Sequence, residues 1–111
     1  MGKRISRSDL ISEHEYSFRG KLWKDKTTGS WHFVSLPKTL SKKIRKIHGG
    51  SEEGWGRLTA AAAIGEVHWD TAVWFDTKND TYLLPVKAVI RKKLGLKEGS
   101  SCKVQLSIEH G

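Results

Sequence analysis

One pattern that occurs twice constrains the fold of this chain more than any other feature. Residues 34–37 (Val-Ser-Leu-Pro) and 82–85 (Tyr-Leu-Leu-Pro) each end an apolar segment, and a lysine-rich segment with helical spacing follows each of them. Proline is tolerated in the first turn of a helix, where its missing N–H has no helical acceptor in any case. We therefore predict that Leu36-Pro37 and Leu84-Pro85 occupy equivalent strand-to-helix junctions related by a pseudo-twofold axis. The two segments share few identical residues beyond Leu-Pro, so the alternative to an internal repeat is that they resemble each other by chance.

The segments that follow the two prolines are predicted to be short amphipathic helices. In the first, which opens at Pro37 and ends at Gly49-Gly50, the apolar face consists of Leu40, Ile44 and Ile47. In the second, which opens at Pro85 and ends at Gly95, the apolar face consists of Val86, Val89, Ile90 and Leu94.

Alternating apolar and polar residues predict strands around both helices. Residues 16–23 and 31–36 are predicted to form a hairpin through the turn formers of residues 24–30. Strands are also predicted at residues 67–75, 81–84 and 102–108, with a turn at residues 76–80. Two halves of this kind, neither able to bury its own apolar face, are expected to close into one small barrel. The predicted fold is therefore mainly β, with two short helices and an internal repeat.

The segment of residues 56–64 contains four consecutive alanines and is open to two interpretations. Alanine is the best helix former, which favours a helix. Gly56 and Gly65 lie too close together for a long helix, and a clearly alternating strand follows at once. We therefore predict a strand that forms a second hairpin with residues 67–75 by a turn near Gly65.

Length and composition indicate a single domain. The chain has 111 residues, a formal net charge of +8 and one cysteine, Cys102, which excludes an intramolecular disulfide and a cysteine-cluster zinc site. Residues 1–14 are predicted to be a flexible basic arm, and residues 15–111 the barrel domain. The chain has no signal-peptide pattern and no apolar run near the roughly 20 residues of a membrane span. We expect a cytoplasmic protein without a membrane partner.

The basic residues are concentrated in three segments. Residues 1–7, 38–48 and 85–98 hold thirteen of the twenty basic residues and one acid, a net +12, and the rest of the chain carries a net −4. Such a distribution is typical of a protein that binds nucleic acid or another polyanion, although a solvated helix face explains lysines equally well. The predicted phosphate contacts are Lys38, Lys42, Lys43, Arg45, Lys46, Lys87, Arg91, Lys92 and Lys93.

Five tryptophans are a second candidate for function. Trp69 falls on the apolar face of its strand and is predicted to lie in the core. The others, Trp23, Trp31, Trp55 and Trp74, lie at strand ends, in a loop or on a more polar face, where packing and ligand stacking are both open. Trp55, between two glycines, and Trp74 are the predicted stacking residues.

No pattern indicates catalysis. The histidines at positions 14, 32, 48, 68 and 110 lack metal-ligand spacing, and His68 and Asp70 share a strand face without a third partner. Cys102 lies on the apolar face of the last strand, which favours a core thiol over a thiolate nucleophile. The glycines at residues 49–56 lack the context of a phosphate-binding loop. We expect no enzyme activity, no metal and no cofactor.

Residues 83–99 (Leu-Leu-Pro-Val-Lys-Ala-Val-Ile-Arg-Lys-Lys-Leu-Gly-Leu-Lys-Glu-Gly) resemble the proline, helix and Arg-Lys-x-Leu-Gly-x-x-x-Gly signature of the AbrB/MazE swapped-hairpin barrels. With residues 18–22 and 33–37, the chain more closely resembles a bacterial domain-of-unknown-function family of single-chain double-split β-barrels related to those regulators. The resemblance covers residues 16–109. It departs at Ser100-Ser101, where Gly-Asp is usual, and at residues 70–75, which have no counterpart of the usual Ser-Leu segment.

The resemblance implies a fold and leaves two classes of function open. AbrB and MazE bind DNA as dimeric barrels, and a chain that holds both halves needs no swapped partner, so a monomer or weak dimer is expected. The first class is a non-catalytic nucleic-acid-binding or regulatory module. The second is a protein-interaction or small-ligand-binding module of the stress-protection type, with no role for nucleic acid. The resemblance supplies no catalytic residues.

Overall fold

A computed structural model describes residues 14–27 and 29–109, except for the side chain of Trp55. Six strands form one closed barrel, as the sequence predicted. The first half contains β1 (Glu15–Lys24), β2 (His32–Ser35), helix α1 (Lys38–His48), two 3-10 turns (Gly49–Ser51 and Gly54–Gly56) and β3 (Arg57–Ile64). The second half contains β4 (Val67–Asp76), β5 (Thr81–Pro85), helix α2 (Ala88–Leu94) and β6 (Ser101–Ile108). The strands follow one another around the barrel in the order β1-β2-β5-β4-β3-β6. The predicted arm, except His14, lies outside the described residues.

The strand pairing has the pseudo-twofold symmetry that the repeat predicted. An exchange of the halves takes β1 to β4, β2 to β5 and β3 to β6, and it leaves the order around the barrel unchanged. It also preserves the register, since the exchange converts Leu22↔Val34 into Phe75↔Tyr82 and Gly20↔Cys102 into Val73↔Leu58. The pairs Ser35↔Leu83 and Ala62↔Leu106 map onto themselves. The pseudo-axis therefore passes through these two pairs on opposite sides of the barrel.

The two prolines follow equivalent leucines, but only Pro37 directly precedes a helix. Pro37 is the N-cap of α1, whereas Pro85 is the last residue of β5, and α2 begins only at Ala88. The predictions that Pro85 opens the second helix and that Val86 lies on its apolar face are wrong. Val86 is buried, and its N–H donates to the His32 carbonyl, so the sheet continues past the proline. The residue after Pro37 is a lysine, which favours solvent, and there the helix starts at once.

The alanine segment is a strand, as predicted. Leu58, Ala60, Ala62 and Ile64 of β3 are buried and belong to the core, and the residues between them point outward. The outward Ala63 is also buried, at 8% exposure, between longer neighbours on β4 and β6. The outer face of this strand therefore contains small residues, Ala61 and Ala63. Packing in the barrel outweighs the intrinsic preference of alanine for a helix.

The core contains residues from every strand and from both helices, among them Ile44 and Ile90. Trp69 lies on the inward face of β4 and packs against this core, but its side chain is only half-buried. The prediction of its strand face is therefore confirmed, whereas the prediction that it is buried in the core is wrong. Ile47 and Val89, predicted for the apolar helix faces, are 42% and 58% exposed. Both helices are short and lie on the barrel through a narrow stripe, which leaves the edge positions of each predicted face in solvent.

Gly20 marks the point where β1 changes partners. The strand pairs with β6 up to Lys21 and with β2 from Leu22 onward. A Cβ on Gly20 would lie 2.7 Å from Val34 Cγ1 and 3.1 Å from the Ser35 carbonyl oxygen. Glycine therefore permits the close approach of β1 and β2 that closes the barrel. Within the described residues, no helix has the length and apolar composition needed to span a membrane.

Candidate polyanion-binding surface

Helix α1 is attached to the barrel along one face. Ser41 Oγ accepts a hydrogen bond from the Tyr82 backbone N–H at 3.0 Å, and His48 Nε2 lies 3.1 Å from Tyr16 Oη. Ile44 is fully buried between these two polar contacts. Because this face is fixed, the opposite face presents the four lysines of the helix to solvent: Lys38, Lys42, Lys43 and Lys46.

Arg45 differs from the lysines of its helix because it already has partners. Its guanidinium lies over the Phe75 ring, 3.8 Å from the centroid, and its Nε is 3.9 Å from Glu52 Oε2. A cavity of about 380 Å³ beside this contact is lined by Lys42, Arg45, Lys46, Phe75 and Asp80. The presence of Asp80 and Glu52 makes this part of the surface less positive than the sequence of α1 suggests.

Glu52 also accepts a hydrogen bond from the hydroxyl of Tyr82. Burial of the phenol, this hydrogen bond and the negative charge of Glu52 all raise the pKa of Tyr82, against a smaller opposing effect of Arg45. A phenol with a raised pKa stays protonated and cannot act as a base near neutral pH. The contact therefore holds the segment after α1 against the barrel and does not indicate an acid–base site.

Helix α2 presents its cations differently. Lys87, Lys92 and Lys93 are exposed, and Arg91 is half-buried with Nη1 donating to the Val86 carbonyl at 2.9 Å. Lys87 and Arg91 line a cavity of about 230 Å³ together with Trp31, His32, Pro85 and other residues of the β2 and β5 ends. Gly95, in the left-handed region at φ 66°, ends the helix as predicted.

The nine predicted phosphate contacts therefore form two groups, one on each helix, in two separate halves of the barrel. The cavities beside the two helices share no lining residue. Both ion pairs among the described residues, Arg45–Glu52 and Arg57–Glu53, leave out the seven lysines of the predicted set. These seven exposed lysines are the cations most available to a ligand.

The tryptophans are placed differently from the sequence interpretation. Trp31 is 54% exposed and stacks on Phe33, with ring centroids 5.9 Å apart and planes at 19°. Trp74 is half-buried, with the Arg57 guanidinium 5.8 Å from its ring centroid, and the side chain of Trp55 lies outside the description. The sequence left Trp31 open as one of four candidates and favoured Trp55 and Trp74 for stacking. A signal that could have identified Trp31 is its position just after a turn, two residues before Phe33 on the same strand face.

A further groove lies where β3 and β6 pair, on the other side of the barrel from the β2–β5 pair. Its volume is about 520 Å³, and Ala61 and Ala63 lie among its lining residues. It is also lined by polar residues of the neighbouring strands: Glu15, His68, Asp70, Gln105 and Ser107. The sequence indicated that His68 and Asp70 share a face but not that small residues of β3 lie beside them. Among the described residues, no group of three or more His, Cys, Asp or Glu side chains could hold a metal ion.

Cys102 is buried, as predicted, and faces Gly20 across β1 and β6. Burial raises the pKa of its thiol, which disfavours the thiolate form. The position explains why the only cysteine belongs to the core.

Comparison with known proteins gives a family and, among shorter similarities, a match to a kinase regulatory subunit. A 57-residue stretch is 40% identical to cyclin-dependent kinases regulatory subunit 2 of Xenopus laevis and spans 48% of this chain and 71% of that protein. We transfer no function from this stretch, which covers less than half of the chain. The family model described as domain of unknown function (DUF1905) matches residues 18–106, from Phe18 in β1 to Leu106 in β6. The chain therefore belongs to the DUF1905 family, as a closed six-stranded barrel with two short basic helices.

Proposed function

We propose that this protein is a non-catalytic module that binds nucleic acid through its phosphates. The observation that carries the proposal is the set of seven exposed lysines, in α1 and in or next to α2, that form no ion pair with any residue the structure describes. The two helices follow equivalent strands of a pseudo-twofold barrel, so each half of the barrel carries one basic helix. An extended polyanion suits such a repeated charge better than a single small anion.

The chemistry of the surface favours contacts to the backbone of a nucleic acid. Lysine is a flexible point charge, and phosphate contacts position a protein without reading the bases. The resemblance to the AbrB/MazE barrels, which bind DNA, supports this proposal. With that relationship we also propose a bacterial, cytoplasmic protein that works as a monomer or weak dimer.

The test is a titration of labelled duplex DNA, single-stranded DNA and RNA at low salt. If about five phosphates are neutralised, counterion release predicts that affinity for duplex DNA falls roughly 500-fold between 50 and 200 mM salt, and affinity for a single strand roughly 100-fold. Replacement of Lys42, Lys43, Lys92 and Lys93 by alanine should weaken binding to all sequences similarly.

A matched variant separates the helices from net charge. Lys21, Lys26, Lys78 and Lys103 are exposed and lie outside the helices. Their replacement by alanine changes the net charge equally and should leave most of the affinity intact. Equal losses in both variants would show that net charge alone attracts the ligand. Absence of binding below about 100 μM, in the weakest non-specific range, would exclude the proposal.

The groove between β3 and β6 favours a second function, a protein-interaction or small-ligand-binding module. Its volume of about 520 Å³ lies in the ordinary range for ligand pockets, and Glu15 and Asp70 give it a polarity opposite to that of the helices. Acrylamide quenching of tryptophan fluorescence with and without oligonucleotide separates the two functions. If the oligonucleotide protects tryptophan from acrylamide, the result supports nucleic-acid binding. If quenching is unchanged and no oligonucleotide binds, the result favours the protein-interaction or small-ligand-binding module.

A further inference from the structure

Three aromatic rings form a row on the outside of the barrel beside α2. The ring of Trp23 lies 5.2 Å from that of Phe33, and Phe33 stacks on Trp31. Trp23 is fixed at the far end, because its Nε1 donates to Ser35 Oγ at 2.9 Å. We call Trp23, Phe33 and Trp31 the aromatic row. Trp23 and Phe33 are half-buried, and Trp31, at the other end of the row, is the most exposed large aromatic side chain described.

The open end of the aromatic row meets two cations. Trp31, Lys87 and Arg91 line the same cavity of about 230 Å³, with Pro85 and Val86 between the strand and the helix. One guanidinium nitrogen of Arg91 is held by the Val86 carbonyl, which orients the group, and arginine has five N–H donors in total. An exposed tryptophan, an oriented guanidinium and an exposed lysine therefore line one cavity. The cavity is smaller than the roughly 300–1,000 Å³ of pockets for drug-sized ligands, which favours one planar ring as its occupant.

We propose that this cavity takes one unpaired base of a single-stranded nucleic acid, stacked on Trp31, with a neighbouring phosphate at Lys87 and Arg91. The inference rests on the proposed function and makes the ligand more specific. A base in a duplex is already stacked on its neighbours and cannot lie against the indole, whereas a base of a single strand can. Stacking accepts any base, so the site confers a preference for single strands without a preference for sequence. The fixed aromatic row reduces the conformational entropy lost when the base binds.

The experiment compares a single-stranded DNA of ten thymidines with a duplex of ten base pairs, both titrated at one low salt concentration. Trp31→Ala should weaken binding of the single strand about 5- to 150-fold, the range expected for one stacked base, and should leave duplex binding unchanged. Trp31→Phe keeps a smaller ring and should recover part of the affinity. Ile47→Ala, which removes an exposed apolar side chain from α1 outside this cavity, is the control and should change the affinity for neither ligand.

The outcomes separate this inference from the proposed function. If neither DNA binds the wild-type protein, the proposed function fails and the inference fails with it. If both bind and the lysine-to-alanine variant of the helices loses affinity while Trp31→Ala does not, the function stands and the stacked base is excluded. An equal loss of duplex and single-strand binding in Trp31→Ala also overturns the inference.

A second measurement does not depend on the stability of Trp31→Ala. The single strand should quench the fluorescence of the wild-type protein, and subtraction of the signal of Trp31→Phe assigns that quenching to residue 31. Equal quenching in the two proteins would place the base elsewhere and contradict the proposal.

Discussion

The two helices occupy equivalent places in the barrel, yet they are attached to it in different ways. Helix α1 has eleven residues, of which Ser41, Ile44 and His48 are buried, and it starts directly after its proline. Helix α2 has seven residues, of which only Ile90 is buried, and it starts three residues after its proline. Symmetry of the strands is therefore compatible with unequal helices.

The difference has a physical cause and a consequence for function. In the first half, the backbone of Tyr82 bonds both Leu36 and Ser41, so the chain is fixed on both sides of Pro37. In the second half, Val86 continues the sheet, and α2 lies farther along the chain, beside the cavity of Trp31. We conclude that α1 contributes more to closure of the core, whereas α2 leaves an open site next to its cations.

The largest expected difference between the helices is in the cost of removing their buried isoleucines. Ile44→Ala should lower the free energy of unfolding by about 4 kcal/mol, because Ile44 has no exposed surface. Ile90→Ala should cost about 2 kcal/mol, near the lower limit for such substitutions, because Ile90 is 7% exposed on a shorter helix. Urea unfolding of both variants measures the two values. Equal losses would contradict the unequal attachment of the helices.

A smaller effect is expected from the polar contact of α1. Ser41→Ala removes the acceptor of the Tyr82 N–H and should cost about 1–3 kcal/mol, since a buried donor is left without a partner. Thr39→Ala, on the exposed side of the same helix, is the control and should stay within about 0.5 kcal/mol of wild type. Thermal or urea unfolding of Ser41→Ala and Thr39→Ala measures the two losses of stability. If the two variants have the same stability, the Ser41 contact does not fix the helix.

The smallest effect is expected at alkaline pH, in the segment that follows α1. The folded protein raises the pKa of Tyr82 above its ordinary value of 10.0, so the stabilisation is complete below pH 10 and is lost as the pH rises further. At pH 11, one unit above the ordinary value, the loss from this group is about 1 kcal/mol or less. Tyr82→Phe lacks the titrating group and should show a flatter decline in stability between pH 9 and pH 11. Lysine deprotonation lowers the stability of the wild type and of Tyr82→Phe alike. If the stability of the two proteins declines in parallel with pH, ionisation of Tyr82 is not the cause of the decline.

Most of the strands could be predicted from the sequence, and the start of α2 could not. Period-two alternation is a local signal, and it placed β1, β4 and β6 within a residue or two of their bounds. The sequence predicts a helix start at Pro85, as at Pro37. Val86 is apolar, however, and it is buried because the sheet continues by one more hydrogen bond, from the Val86 N–H. That choice depends on the His32 carbonyl, which is distant in sequence. The exposure of Ile47 and Val89 was missed for the same reason, because a helical face shows periodicity but not how wide a stripe the barrel covers.

The candidate site was predictable in its charges and not in its surroundings. The lysines of α1 and α2 follow from composition and helical spacing, and they are exposed as such spacing implies. Nothing local to Arg45 indicates Phe75 and Glu52 as its partners, since these lie on β4 and in the segment after α1. The importance of Trp31 likewise depends on Phe33 and on the first residues of α2.

The sequence by itself determined the barrel halves, their repeat and the sign of the charge on both helices, because these depend on residue type and on spacing over a few positions. The tertiary structure decided where the second helix starts and which cations are already paired. It also decided which of the described tryptophan side chains is exposed beside a basic cavity. These properties depend on groups from different strands that come together only when the barrel closes. A buried N–H must find an acceptor and a charge must find a partner or water, and the closed barrel alone determines which of these is near.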